Sequence, residues 1–350
     1  MTSESISITK AIGILLMVLA HAGFPIMHNF IYMFHMPLFF IMSGYCFKQK
    51  YKNEPFSFIK KRIIGLYIPF IKWSLIFLIF HNFLFYINIY NSSYGFEGEV
   101  SHLYHFTDFI TRAIRIIISL DNKEQLLAGY WFLKNLFWGS IISFIIIKFS
   151  KNILKAECFL LLLTTLTSLF PIVHIPILEI NSLTFLSTSF YVSGYIFHKM
   201  NFTIKAYHAI FFFIITIILA KLMPTNMQNY IWWQVIPYFL CAIGGTLMIV
   251  WISSHLSNHD NIIKRILIWI GNHTLTILTW HFLSFKLVSL FIVYYKNVPI
   301  EQIAYFPVIP EYAPNYWLVY FIIGVAGSLA IQQFINIINK KIINLIKSTR

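Results

Sequence analysis

The chain has 350 residues and a formal net charge of +14, and 58% of its residues are hydrophobic while only 11% are charged. This composition excludes a soluble globular protein of this length. A helix that spans a membrane needs about 20 mainly apolar residues. The sequence therefore predicts an all-α integral membrane protein with about ten transmembrane helices. The predicted spans are 10–28, 30–48, 66–90, 130–148, 154–171, 182–198, 204–222, 230–252, 266–293 and 316–340.

The distribution of Lys and Arg predicts how these spans are oriented. With a cytoplasmic N-terminus, most of the 26 basic residues fall in the cytoplasmic loops and tails. This asymmetry follows the positive-inside rule, so both termini are expected in the cytoplasm of a multi-pass protein of the inner or plasma membrane. Because topology accounts for the charge, we expect no nucleic-acid partner. The first span lacks a basic leader and a cleavage site, so no cleavable signal is expected.

The first two predicted spans carry polar side chains where lipid disfavours them. They occupy residues 10–47 with a tight bend at 25–29, and they place His21 inside the first span and His35 at the head of the second. Lys10 and His21 are eleven residues apart, so they share one helix face about 16 Å apart. An imidazole within a membrane-spanning helix predicts that His21 belongs to a functional site. The alternative is a structural histidine that hydrogen-bonds to a neighbouring carbonyl. For His35, a catalytic and an orienting role are both open.

Later segments give local predictions. Pro69 is expected to kink the third helix near its inner end. In the long outer loop, 91–129, residues 107–120 have helical periodicity. They predict a short helix that either lies on the outer membrane surface or packs on the bundle as a solvated loop helix. The tripeptide SGY occurs at 43–45 and 193–195, and small residues at helix crossings explain it without an internal repeat.

The ninth predicted span contains a second intramembrane histidine. Residues 270–282 include His281, which we expect at the same depth as His21, sharing its site; a structural role with a bond to Thr279 or the backbone is the alternative. All twelve acidic residues are expected in loops or at span edges, and this argues against a proton-coupled transporter. Imidazole, cation and hydroxyl groups instead suit base catalysis near neutral pH. The three cysteines have no disulfide or zinc spacing, and we expect no metal.

Five segments in order resemble the acyltransferase-3 family of integral-membrane acyltransferases, most closely its fucose 4-O-acetylase-like sugar O-acetyltransferases. The segments are Lys10-x10-His21, FHMPLFFIMSGY at 34–45, KKRIIGLYIPF at 60–70, YWFLKNLF at 130–137 and IGNHTLTILTWHF at 270–282.

The resemblance implies transfer of an acyl group, usually acetyl, from cytosolic acyl-CoA to a hydroxyl of a cell-surface polysaccharide or lipid-linked sugar. It implies that His21 is essential for acyl transfer, and we therefore expect His21 to be a catalytic residue. Where the family has a second arginine after Arg62, this chain has Gly65. The predicted catalytic residues are His21, His35 and His281. The predicted coenzyme contacts are Lys10, Lys61, Arg62 and Arg265. The residues expected to bind substrate or shape the site are Ser43, Trp131, Lys134, Asn135 and Asn272.

These features predict a single membrane-embedded O-acetyltransferase domain over residues 1–350, with no appended extracellular domain. Acetyl-CoA is the expected co-substrate. The expected partners are membrane lipid, the glycan acceptor, and either proteins of glycan assembly or a second copy of the chain. Two rival functions remain at this stage: a glycan or lipid flippase without acyl-transfer activity, and a structural membrane subunit.

Overall fold

The computed structural model describes residues 1–95, 100–170, 177–200 and 203–348, so residues 96–99 of the predicted outer loop lie outside the described residues, as does residue 171 at the end of the fifth predicted span. The described chain folds into helices joined by turns and loops. The helices are α1 (Ser3–His21), α2 (His28–Tyr32), α3 (His35–Tyr45), α4 (Pro55–Arg62), α5 (Ile68–Tyr86), α6 (Phe106–Ser119), α7 (Trp131–Phe149), α8 (Ile153–Leu169), α9 (Ser182–Met200), α10 (Ala206–Leu222), α11 (Val235–Ser257), α12 (Ile262–Asn272), α13 (Thr274–Lys296) and α14 (Ala313–Ser348).

The architecture is that of an all-α membrane protein. Within the described residues, six helical segments are long and apolar enough to cross a membrane: Ser3–His21, Pro55–Tyr86, Gln125–Phe149, Trp232–Ser257, Thr274–Lys296 and Ala313–Lys341. The predicted count of ten spans is therefore not confirmed. The central helix α9 illustrates the difference, because it is buried on most sides and rich in Ser and Thr. Some of its hydroxyls bond within the helix, as Thr188 does to the Thr184 carbonyl at 2.8 Å, and others bond to neighbouring helices.

Two predicted spans are broken in the structure. The second span, predicted as continuous over 30–48, divides into α2 and α3 around Met33 and Phe34. Pro37 explains this break, because a proline inside a helix has no N–H for the carbonyl four residues earlier and its ring collides with that carbonyl. The ninth span, predicted over 266–293, divides at His273 into α12 and α13.

The third helix contains the distortion expected near Pro69. A π-helical turn, Ile63–Tyr67, joins α4 to α5, and the Ile68 N–H bonds to the carbonyl of Ile63. Proline cannot bond to the carbonyl four residues before it, here that of Gly65, so the turn before it widens. The wide turn places Gly65 beside a cavity described below.

The predicted outer-loop helix is present as α6. It packs along α5, and the Tyr67 hydroxyl, just before α5, donates to the carbonyl of Ile117 at 2.8 Å. The exposed side of α6 is apolar, with Ile110, Ile114 and Ile118 about half exposed. Residues at this spacing lie on one helix face, so α6 has an apolar stripe that faces away from the bundle.

The two SGY segments meet at the crossing of α3 and α9, as the small-residue interpretation predicted. A Cβ atom at Gly44 would collide with the carbonyl oxygen of Tyr191, and one at Gly194 would collide with that of Ile41. Both positions therefore have to be glycine for the two backbones to approach so closely.

We expect Gly194→Ala to destabilise the fold by about 1–3 kcal/mol, because the added methyl group would push α3 and α9 apart. Thermal unfolding of the detergent-purified protein should show a lower Tm and a smaller monodisperse fraction. Gly65→Ala is the matched control, since a Cβ at Gly65 meets open space. A Tm for Gly194→Ala equal to that of the control would contradict this packing.

The structure corrects the prediction that acidic side chains stay outside the bundle. Glu157 on α8 is only 7% exposed and accepts hydrogen bonds from Ser189 and Ser193 on α9. Glu124, which precedes α7, is 2% exposed and lies 3.1 Å from Nδ1 of His81 on α5. Each carboxyl group is held in the bundle by a polar partner on a neighbouring helix, which offsets part of the cost of burying it.

Candidate active site

The first histidine of the site is the last residue of α1. The helix ends there because the following turn contains Gly23 at φ +81°, a backbone conformation that favours glycine. The first helix therefore differs from the predicted span, 10–28, because α1 begins at Ser3 and ends at His21. Lys10 lies eleven residues before His21 in the same helix, so the predicted separation of about 16 Å along the helix axis is retained. The His21 imidazole is at the C-terminal end of α1, and Lys10 is nearer the N-terminal end.

His21 and His281 lie within hydrogen-bond distance of each other, as expected from their predicted similar depth in the membrane. Nδ1 of His21 is 3.2 Å from Nε2 of His281, and their rings stack with centroids 5.4 Å apart. Nδ1 of His281 lies 3.0 Å from each of the carbonyl oxygens of Ile277 and Leu278. Carbonyl oxygens only accept, so Nδ1 of His281 carries a hydrogen and the neutral ring has an accepting Nε2.

This arrangement fixes the tautomer of the neutral His21 ring. Its Nδ1 donates to Nε2 of His281, which leaves Nε2 of His21 with a free lone pair. A nitrogen with a free lone pair can accept a proton from a hydroxyl. His281 therefore orients a potential general base, in the manner of the third group of a catalytic triad.

The third predicted catalytic histidine shares a cavity with His21. His35 begins α3, is buried, and donates from Nδ1 to the Ile31 carbonyl at 2.8 Å. Tyr32 lies between the two, its ring centroid 6.5 Å from that of His21 and 5.1 Å from that of His35. We call this space the histidine cavity. It is lined by Met17, His21, Tyr32, His35, Met36, Gly129, Trp131, Asn226, Met227, Gln228 and Leu278.

A second cavity, of about 250 Å³, contains Lys10; we call it the Lys10 cavity. It lies between α1, α3, α7, α13 and the π-helical turn Ile63–Tyr67, with apolar walls that include Phe39 and Phe132. Lys10 is the one Lys, Arg, Asp or Glu among the described residues that line it, and Ser43 and Cys46 also line it. The cavity can therefore hold a largely apolar chain that has an anionic group at the Lys10 end.

Cations cluster near the Lys10 cavity, and within the described ranges none of the four named here forms an ion pair with an acid. Lys10, Lys48, Lys61 and Arg62 are all close enough to Cys46 to act on it electrostatically. This end of the bundle, where α1 begins and α3 ends, is called the basic end below.

Neutral groups hold the Arg62 guanidinium in place. It donates to Ser43 Oγ at 3.2 Å and to the Tyr191 hydroxyl at 2.7 Å, and it lies over the Phe58 ring. In the part of the chain that the structure describes, Arg62 forms no ion pair. Its charge therefore remains available to an anion such as a phosphate.

The two cavities share part of their walls. Met17, Met36 and Leu278 line both the Lys10 cavity and the histidine cavity. These three apolar side chains form a partition between the cationic cluster on one side and the paired imidazoles on the other. Methionine side chains are flexible, so the partition can open without movement of a helix.

Arg265, predicted as a coenzyme contact, lies outside the Lys10 cavity. Its side chain is 69% exposed, and Nη2 lies 3.0 Å from Asp260 Oδ2. The hydrogen bond and charge of Arg265 hold the pKa of the Asp260 carboxyl below its usual value. Arg265 is thus already paired with Asp260, an acid five residues before it in sequence.

Three residues that were predicted to shape the site lie outside both cavities. Two of them connect helices, and the third lies near acidic side chains. Asn135 accepts from Thr184 Oγ1 on α9 at 2.8 Å. Asn272 accepts from Ser7 Oγ on α1 at 3.3 Å. Lys134 lies near the acidic side chains of Asp121 and Glu179, and none of the three lines either cavity.

Comparison with known proteins decides the family. The acyltransferase-3 family model, described as an acyltransferase domain, matches residues 3–333. The chain belongs to this acyltransferase family. No curated protein and no solved structure matched it. Membership of the acyltransferase-3 family identifies the chain as a membrane acyltransferase and displaces the flippase and structural-subunit interpretations.

Sequence reasoning missed several residues that this acyltransferase places at the site. Met17 precedes His21 by one helical turn and Met36 follows His35 directly, so the helical period could have indicated them. Asn226 and Gln228 come from the loop after α10, and no local pattern marks them. Gly65 lines the Lys10 cavity with open space around it, so the absence of the family's second arginine leaves that wall uncovered.

Proposed function

We propose that this acyltransferase transfers an acetyl or similar acyl group from acyl-CoA to a hydroxyl of a cell-surface polysaccharide or lipid-linked sugar. The observation that carries the proposal is the shared partition. A cation-flanked apolar cavity and a cavity with two histidines meet at Met17, Met36 and Leu278. Donor and acceptor can therefore approach the same point from opposite ends of the bundle.

The Lys10 cavity suits the donor. The phosphates of coenzyme A would bind Lys10, Lys61 and Arg62 at the basic end, where charge-assisted hydrogen bonds are strong. The pantetheine arm would follow the apolar walls toward the partition. Since basic residues concentrate on the cytosolic side of membrane proteins, we place the basic end in the cytosol of the inner or plasma membrane, where acyl-CoA is made.

The histidine cavity suits a sugar hydroxyl. Trp131 supplies an aromatic surface, and the amide side chains of Asn226 and Gln228 can hydrogen-bond to hydroxyl groups. These residues line the same cavity as His21 and His35. The sugar O-acetyltransferase branch that the sequence resembles has acceptors of this chemical class, and this makes a glycan or lipid-linked sugar the acceptor that we propose.

The proposed reaction uses the free lone pair on Nε2 of His21. As the acceptor oxygen attacks the thioester carbonyl carbon, Nε2 of His21 takes the hydroxyl proton. The tetrahedral intermediate then collapses, the carbon–sulfur bond breaks, and the proton moves from His21 to the coenzyme A sulfur. His281 keeps the imidazole oriented throughout, and general-base assistance of this kind contributes about 10²–10⁴-fold to the rate.

We expect acetyl-CoA to protect Cys46 from alkylation, because Cys46 lines the Lys10 cavity. The detergent-purified protein would be treated with N-ethylmaleimide with and without acetyl-CoA, and modification at each cysteine would be followed by peptide mass spectrometry. Acetyl-CoA has no free thiol and does not consume the reagent.

Cys158 on α8 is the internal control, since it is also exposed but does not line the Lys10 cavity. The expected result is slower modification of Cys46 alone. Equal rates for Cys46 with and without acetyl-CoA would show that the donor does not occupy the Lys10 cavity.

A further inference from the structure

A separate polar groove lies between α5 and α14, at the start of α13. Its volume is about 390 Å³, and its lining includes Lys72 of α5, Thr276 of α13, and Gln332 and Asn336 of α14. The acyl-transfer mechanism above uses none of these side chains.

The hydrogen bonds around this groove leave donors facing it. The Trp280 indole donates to Oε1 of Gln332 at 3.1 Å, and Nε2 of Gln332 donates to Oδ1 of Asn336 at 3.0 Å. Among the described residues, the Asn336 amide nitrogen has no acceptor, so it remains available as a donor. Lys72, whose Nζ lies 4.6 Å from the centroid of the Trp73 ring, adds an ammonium group. Both groups line the groove and can donate hydrogen bonds to an anion.

The charges around the groove have one sign. Lys72 is the one Lys, Arg, Asp or Glu among its described lining residues. Lys340 follows Asn336 by four residues in α14, so it lies on the same helix face one turn nearer the end of the chain. A phosphate matches this combination of ammonium and amide donors.

The surroundings favour a phosphate that carries acyl chains. Ile68 of α5 lines the groove and is 51% exposed. Its side chain therefore faces outward from the bundle, where a membrane supplies hydrocarbon. His273 lines the groove and follows Asn272, which accepts from Ser7 Oγ near the start of α1, so the groove lies at the basic end. Basic pockets between membrane helices at the cytoplasmic side bind anionic headgroups.

We propose that the groove between α5 and α14 binds the phosphate headgroup of an anionic phospholipid, with Lys72 and Asn336 as its principal contacts. The lipid would fill the gap between the two helices beside Leu275, which also lines the Lys10 cavity. This is a lipid site in addition to the acyl-transfer site.

Native mass spectrometry of the purified protein tests the proposal with phosphatidylglycerol and phosphatidylcholine of identical acyl chains. The wild-type protein should retain phosphatidylglycerol preferentially. Lys72→Gln should weaken that binding about fivefold, which corresponds to about 1 kcal/mol for one lysine at an anionic lipid surface, and Asn336→Ala should weaken it as well. Lys148→Gln is the matched control, because Lys148 is another exposed lysine beside an aromatic ring.

The control variant should bind phosphatidylglycerol like the wild type, and excess inorganic phosphate should not displace the lipid. Equal retention of the two lipids by the wild-type protein would overturn the proposal. So would unchanged phosphatidylglycerol binding in both Lys72→Gln and Asn336→Ala, or displacement of the lipid by phosphate. Each readout is lipid binding, so the result is independent of whether acyl transfer is observed.

Discussion

His21→Ala should reduce acyl transfer at least about hundredfold, because it removes the group that takes the acceptor proton. Expression and membrane insertion should be unchanged, since His21 is the last residue of α1 and, among the described residues, its side chain hydrogen-bonds to His281 alone. Acetylation would be measured as acetyl groups on glycan in membranes with matched protein levels. His255→Ala is the control, because His255 is near the end of α11 and lines neither cavity.

Substitutions of His281, the hydrogen-bond partner of His21, should reduce acyl-transfer activity to different degrees. His281→Gln keeps an oxygen that can accept from Nδ1 of His21, whereas His281→Ala does not. We therefore expect His281→Gln to retain more activity than His281→Ala, which a purely structural histidine would not require. Near-wild-type acetylation in His21→Ala would remove the base from the mechanism, and equal activities of the two His281 variants would remove its orienting role.

Lys10→Ala and Arg62→Ala should each raise the apparent KM for acyl-CoA about tenfold or more while changing the acceptor KM less. Charge-assisted contacts to phosphate contribute about 1.5–3 kcal/mol each, and 1.4 kcal/mol corresponds to a factor of ten. Arg265→Ala should leave both constants unchanged, because Arg265 is exposed and paired with Asp260. An unchanged apparent KM in Lys10→Ala and Arg62→Ala would mean that these cations serve membrane topology alone.

Helical geometry made part of the site predictable. A rise of about 1.5 Å per residue placed His21 and His281 at similar depth before any packing was known. The widened turn before Pro69 follows from the missing N–H of proline, and the contact between Gly44 and Gly194 follows from their small size. These features depend on properties of single residues or of one helix, which a sequence displays directly.

The rest depends on contacts that hydrophobicity does not encode. The second span has a continuous apolar run, yet Pro37 breaks it, so its hydropathy concealed α2 and α3 as separate helices. Glu157 looks like a residue at a span edge until the hydroxyls of α9 appear opposite it. Asn226 and Gln228 reach the histidine cavity from a distant loop. Long-range packing decides these positions, and one sequence contains no record of it.

Transfer of label from radioactive acetyl-CoA in sealed membrane vesicles tests the central claim most directly. If donor and acceptor meet at the partition from opposite ends, inside-out vesicles with external acetyl-CoA should incorporate label into glycan or lipid-linked sugar. Right-side-out vesicles, and inside-out vesicles with His21→Ala, should give only background. Equal incorporation by right-side-out vesicles, or full incorporation by His21→Ala, would contradict the account.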